Sequence, residues 1–233
     1  QWVDGRVILH PITLVEGWTF NAAREALDAN PLLKHETHGL SAAALMTRLG
    51  LNKLPPEGEF FPDTYLVPKG TSDLEVWRIA HARLEERLAS AWAKRANDVP
   101  LDTPYHALVL ASLIEKETAQ PEERAKIAAV FINRLRRGMR LQTDPSVIYG
   151  LGARYDGTLH RRDLTSDTPY NTYTRDGLPP TPIAFAGDAS LTAALNPART
   201  SALYFVATGL GDGRHVFSQS LEEHNRAVSR YLS

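Results

Sequence analysis

Hydrophobic and polar positions change period several times along the chain. Val7 to His10 and Ile12 to Val15 are β-branched runs broken by Pro11, which has no N–H for a ladder, so the opening reads as two short strands at a sheet edge. From Thr19 the period lengthens to that of a helix. Thr19 can cap one that runs to Ala29 and stops before Pro31, and Ser41 can cap another that ends at Gly50. Residues 55–70, PPEGEFFPDTYLVPKG, set four prolines and two turn glycines among aromatics and read as an extended loop around the core. Ser72 with Glu75 forms a capping box ahead of a long amphipathic helix to Arg95, with Leu74, Ile79, Leu84 and Leu88 on its apolar side.

The polar stretch Asn97 to Asp102 is the one internal boundary the pattern offers, which divides the chain into 1–98 and 99–233. Thr103-Pro104 then supplies an N-cap and a proline at the first helical position for a helix to Ala119. Gln120-Pro121 opens a further helix, acidic at its start (Glu122, Glu123) and basic at its end (Arg134, Arg136, Arg137), stopped by Gly138. Residues 139–187 are rich in Tyr, Asn, Thr, Gly and Pro without a sustained period. So long a connection is expected to carry binding groups. Asp188 caps a short helix, Leu203 to Thr208 and His215 to Ser218 bracket a glycine turn as a hairpin, and Ser220 with Glu223 boxes a final helix. The expected fold class is α+β: a mainly helical second domain with a small β-hairpin, preceded by an N-terminal α/β subdomain.

Composition narrows the function without naming it. With 43% hydrophobic and 23% charged residues among 233, the chain is an ordinary globular one rather than disordered or fibrous. Lys and Arg number 26 against 27 Asp and Glu, so no basic field points to nucleic acid. Cysteine is absent, which removes disulfides, thiolate metal sites and Cys nucleophiles together. No apolar run approaches membrane-spanning length, and a start at Gln1 without Met reads as a fragment or processed product. His35-Glu36-Thr37-His38 lacks an evident third ligand and reads as a solvated turn, so no metal is expected. Gly209 to Gly213 lacks the Lys-Ser/Thr ending of a phosphate loop and reads as the hairpin turn.

One carboxylate stands out. At about 100° per residue, with Glu117 as origin, Leu110 falls at about +20°, Leu113 at about −40° and Ile114 at about +60°. Glu117 therefore sits at the centre of the apolar stripe, while Glu115 falls at about 160°, where apolar content is smaller. A carboxyl held against apolar side chains ionises less readily and can serve as a general acid toward a glycosidic oxygen. The plainer alternative is an ion pair with an Arg of the following helix. Downstream, Gln142, Tyr149, Tyr155, Tyr170, Asn171 and Tyr173 offer aromatic faces and amides suited to sugar rings with hydroxyl and acetamido groups. Of these, Gln142, Tyr170, Asn171 and Tyr173 are expected to line the cleft beside Glu117.

The run ASLIEKETAQPEERAKIAAVFINRLRRGMRLQTDPSVIYG, followed by YNTYTRDGLPP, LYFVATGLGDGRHVFS and HNRAV and preceded by TLVEGW and FFPDTYLV, closely resembles the endolytic murein transglycosylases of the MltG (YceG-like) family. That resemblance implies a lysozyme-like catalytic domain at 99–233, with residues 1–98 holding the end of a LysM-like module and connecting helices. It further implies a bacterial enzyme of the inner membrane, anchored by an N-terminal helix absent from this sequence. Its catalytic domain would lie in the periplasm, cutting peptidoglycan glycan strands near penicillin-binding protein synthases. Glu117-Thr118 is similar to the catalytic Glu and hydroxyl residue of lytic transglycosylases. By that chemistry Glu117 protonates the bond between N-acetylmuramic acid and N-acetylglucosamine, and the muramoyl 6-hydroxyl attacks to leave a 1,6-anhydro end, with no cofactor. Two alternatives stay open: a hydrolytic muramidase with Asp144 or Asp156 as second carboxylate, and a non-catalytic peptidoglycan-binding scaffold.

Overall fold

The computed structural model describes residues 8–231. Val7, the first residue of the expected opening strand, lies outside the described residues. The architecture is α+β, with helices around two small antiparallel sheets.

Strand β1 (Leu9–Thr13) pairs antiparallel with β2 (Thr64–Pro68), from Leu9 opposite Pro68 to Thr13 opposite Thr64. Two expectations are corrected here. Pro11 does not split the opening into two strands; it lies inside β1 with its ring outward, tolerated because a two-stranded ribbon has a free edge where no N–H is needed. The segment 55–70 is not all loop, since Tyr65 and Val67 alternate with exposed Thr64, Leu66 and Pro68 and bury the inner face of β2. Thr19, Ser41, Ser72 and Thr103 cap α1 (Phe20–Asp28), α2 (Ala42–Arg48), α3 (Asp73–Ala93) and α4 (Pro104–Glu117), each hydroxyl accepting from a first-turn N–H.

Helix α4 is the axis of the C-terminal half. Every residue from Ala107 to Ile114 is buried, among α3, α5 (Arg124–Arg136) and α8 (Asp188–Leu195). A helix apolar all round is a central one. Two further corrections fall nearby. Pro121–Glu123 form a separate 3₁₀ turn before α5, so Glu123 leaves the helix and turns toward His215. Residues 139–187 hold α6 (Asp144–Leu151) and α7 (Arg161–Thr165), each too short to show a period in sequence. Strands β3 (Tyr204–Ala207) and β4 (His215–Ser218) form the second sheet, covered by α9 (Leu221–Tyr231).

Two apolar clusters share α3. Val76, Trp77 and Ala80 join Ile12, Phe20, Phe60 and Phe185, whereas Leu84 and Leu88 join α4, α5 and α8. Phe185 and Phe61 each lie in the cluster on the opposite side of residue 98 from their own place in the chain. Glu57, buried beneath this junction, accepts from Phe20 N at 2.9 Å and from the Tyr149 hydroxyl at 3.1 Å.

Candidate active site

Helix α4 ends at Glu117 because Thr118 is extended (φ −144°, ψ 137°) and its hydroxyl accepts from Gln120 N at 2.9 Å, while Pro121 disfavours helix at Gln120. The carboxylate is thereby held at the rim of the core. Burial pushes Glu117 up to about 7; Asp144 adds to the rise, while the Thr143 hydrogen bond, His215 and Arg134 oppose it. Thr143 Oγ1 donates to Glu117 Oε1 at 2.5 Å.

Arg134 builds the wall opposite. The residue is 7% exposed; its guanidinium Nε donates to Leu203 O at 2.7 Å, and the other end donates to Leu141 O at 2.8 Å, Arg140 O at 3.2 Å and Gln142 Oε1 at 3.3 Å. Gln142 N donates to Thr172 O and Thr143 N to Thr172 Oγ1, so residues 140–143 are fixed from both sides. Gln142 adopts φ 50°, the one non-glycine described residue in the left-handed region, and backbone cost of this kind concentrates at functional sites. The Tyr173 hydroxyl donates to Asp144 Oδ1 at 2.5 Å. Beside this group, Glu123 accepts from His215 Nδ1 at 2.7 Å and from His215 N at 3.0 Å.

Glu117, Arg134, Gln142, Asp144, Tyr173 and Phe205 line one pocket of about 160 Å³. Gln142 and Tyr173 thus stand with Glu117. Tyr170 and Asn171 do not line that pocket. Tyr170 packs its ring edge-on to Tyr149 at 4.8 Å and shares a hydrogen bond with Thr181. Asn171 is 1% exposed; its amide nitrogen donates to the carbonyls of Asp163, Leu164 and Ser166, and its oxygen accepts from Tyr173 N. Asn171 therefore positions the loop that carries Tyr173. Asp156, the other carboxylate considered from sequence, pairs with His160 on an exposed loop. Glu115 is not set apart from Glu117 by lying on a less apolar face, because α4 is buried on every side from Ala107 to Ile114 and the Glu115 side chain is itself buried. Its carboxylate meets Arg124 at 3.5 Å and accepts from Gly187 N at 3.1 Å, so its charge is compensated.

Three ligand atoms, from Asp28, His35 and Asp73, approach within 4.8 Å of one another, with His38 near Asp28 at 3.5 Å. Asp73 already accepts from Glu36 N, Thr37 N, Thr37 Oγ1 and Leu74 N, which accounts for its burial as an anchor of this turn.

The profile of the YceG-like family matches residues 2–230. The chain belongs to the YceG-like family. This YceG-like chain is 42% identical over 182 residues to an endolytic murein transglycosylase of Bacillus subtilis, covering 78% of the chain and 49% of that protein. It is 28% identical to one from Streptococcus pneumoniae serotype 2, over 97% of the chain and 45% of that protein. The chain thus spans about half the length of these curated relatives. A crystal structure of a yceG-like protein from Listeria monocytogenes superposes with a TM-score of 0.72 at 33% identity, covering 93% of this chain and 75% of that one.

Arg134 and Thr143 of this YceG-like site are not among the residues the sequence pattern singles out for chemistry. By position Arg134 is a helix-end cation, yet it lies three, four and seven residues after Phe131, Val130 and Ile127, on the buried stripe. That spacing was the available signal. Thr143 had none, because its role depends on a contact 26 positions away. A hydroxyl donating to a carboxylate favours the charged form. Carboxyl carbon NMR is therefore expected to give a Glu117 midpoint near 7 in the parent and a higher one in Thr143→Val; an unchanged or lower midpoint would show that the hydrogen bond does not act on the acid.

Proposed function

We propose that this chain carries the catalytic part of an endolytic peptidoglycan lytic transglycosylase in which Glu117 is the general acid and base. The observation that carries the reading is a carboxyl pushed up to about 7 by burial, set in an open pocket with an amide and a tyrosine. In the first step Glu117 gives its proton to the oxygen linking N-acetylmuramic acid to N-acetylglucosamine, and the bond from the anomeric carbon breaks. Glu117, now a carboxylate, takes the proton of the muramoyl 6-hydroxyl as that oxygen bonds to its own anomeric carbon. The proton count is restored and no water is consumed. Because the nucleophile belongs to the substrate, a second carboxylate is not required, and neither step needs a metal or organic cofactor.

In this reading the catalytic groups lie in a lysozyme-like domain at 99–233, and residues 1–98 contribute the end of a LysM-like module and connecting helices. The site of action is the periplasmic face of the bacterial inner membrane, on nascent strands beside penicillin-binding protein synthases, whose polymerisation the cut terminates. No helix among the described residues is long and apolar enough to cross a membrane itself. Gln142 and Tyr173 contact the sugars, whereas Tyr170 and Asn171 support the loop behind them.

Hydrolysis is the second reading, favoured by Asp144, which lines the same pocket as Glu117. Mass spectrometry of a digest made in heavy-oxygen water separates the two. Transglycosylation is expected to give muramoyl ends lighter by one water and free of the label; labelled reducing ends would establish hydrolysis and remove the proposed mechanism.

A further inference from the structure

The TLVEGW run, residues 13–18, has no part in the reading above, yet it reaches the catalytic acid. Beyond β1 the chain crosses to the C-terminal half, where Gly17 N donates to Phe185 O and Phe185 N to Trp18 O, both at 2.8 Å. Lys116 Nζ donates to Gly17 O at 3.3 Å. Gly17 takes φ 78°, which glycine adopts without strain. Facing it, Gly187 leaves room for the Glu16 carboxylate, since a Cβ at 187 would stand 1.8 Å from Glu16 Oε1. The crossing is therefore tightly specified.

It forms one wall of an open cleft of about 610 Å³, whose other wall is Glu115 to Ala119, the end of α4 and the two residues after it, with Arg124. This cleft shares Glu117, and no other residue, with the pocket of Gln142 and Tyr173. An acid common to two hollows suits a polymer that continues on both sides of the bond it cuts. Trp18 packs partly on the N-terminal cluster and remains partly exposed in the cleft. An indole face matches the C–H face of a pyranose, and the carboxylate and ammonium of Glu16 and Lys116 match hydroxyl, acetamido and carboxyl substituents around it.

We propose that Val15 to Trp18 form the second half of the substrate groove, with Trp18 as the platform for an N-acetylated amino sugar in the half not lined by Gln142 and Tyr173. This rests on the function proposed above.

The test uses the whole chain with Glu117→Gln, which binds without cutting, and peptide-free peptidoglycan glycan oligosaccharides of defined length. Adding Trp18→Ala is expected to weaken binding by about tenfold, and Trp18→Phe, which keeps an aromatic face, by much less. In the active chain, Trp18→Ala is expected to raise KM while kcat stays within about twofold. Should Trp18→Ala fail to fold, the indole N–H resonance lost in Trp18→Phe identifies Trp18 in the Glu117→Gln chain, and that resonance is expected to shift as oligosaccharide is added. Equal affinity in a folded Trp18→Ala chain, or an indole resonance unmoved at saturation, overturns the platform and leaves the proposed function standing if cleavage persists. A parent chain that neither binds nor cuts glycan overturns both.

Discussion

Glu117→Gln is expected to lower glycan cleavage by about a thousandfold or more, within the range that a positioned acid and base contributes. The amide keeps the size of the side chain and can still accept from Thr143, but it has no proton of the required acidity to give. Since burial opposes the charged form at this position, the neutral substitute should leave thermal unfolding unchanged or slightly later. A folded Glu117→Gln chain that cuts peptidoglycan at a rate near the parent's would remove the assignment. Glu115→Gln is the control on the same helix. It weakens the contact with Arg124 and the bond from Gly187 N, so its main effect should be on unfolding temperature. Equal loss of activity in both would mean that the two acids act as one unit.

Arg134→Met is expected to cost about 3 kcal/mol or more of stability, since it withdraws a buried guanidinium from the carbonyls of Leu203, Arg140 and Leu141 and from the Gln142 amide. In a chain of this size that loss lowers the melting temperature by about 10 °C. Activity should fall further than stability explains, because residues 140–143 lose the clamp that sets the left-handed Gln142 and aims Thr143 at Glu117. Arg134→Lys keeps the charge but has no planar fork to reach both Leu203 O and Leu141 O, so it should recover little of either. Calorimetry and cleavage rates on the same preparations check both parts, and an Arg134→Met chain as stable and active as the parent would show that the clamp is dispensable.

Helix starts were legible because their signals are local. Thr19, Ser41, Ser72 and Thr103 act within a few residues of themselves, and a cap reads the same in sequence as in structure. The hairpin of Tyr204–Ala207 with His215–Ser218 was legible for the same reason, its turn being rich in glycine. Strand β2 was missed because Pro62, Pro68 and Gly58 dominate a short window, whereas its status as a strand depends on β1, more than fifty residues earlier. Residues 144–151 and 161–165 were missed because one or two turns display too little of a 3.6-residue period to be seen.

Composition and local pattern are enough to show that the chain is globular, that Glu117 closes an apolar helix, and that amides and tyrosines gather in the stretch after residue 139. The tertiary fold selects which of those groups meet the acid. Tyr173 and Gln142 reach its pocket, while Asn171 spends its amide on backbone carbonyls and Tyr170 packs against Tyr149. It also decided that the difference between Glu115 and Glu117 is one of partners, Arg124 and Gly187 N against the Thr143 hydroxyl, at the end of a helix whose middle, Ala107 to Ile114, is buried on every face. Helix phase is a property of neighbours in the chain, and it places a carboxylate in the core. The partners of the two acids come from far along the chain, 9 and 72 positions away for Glu115 and 26 for Glu117, and only the folded chain brings them within a few ångströms.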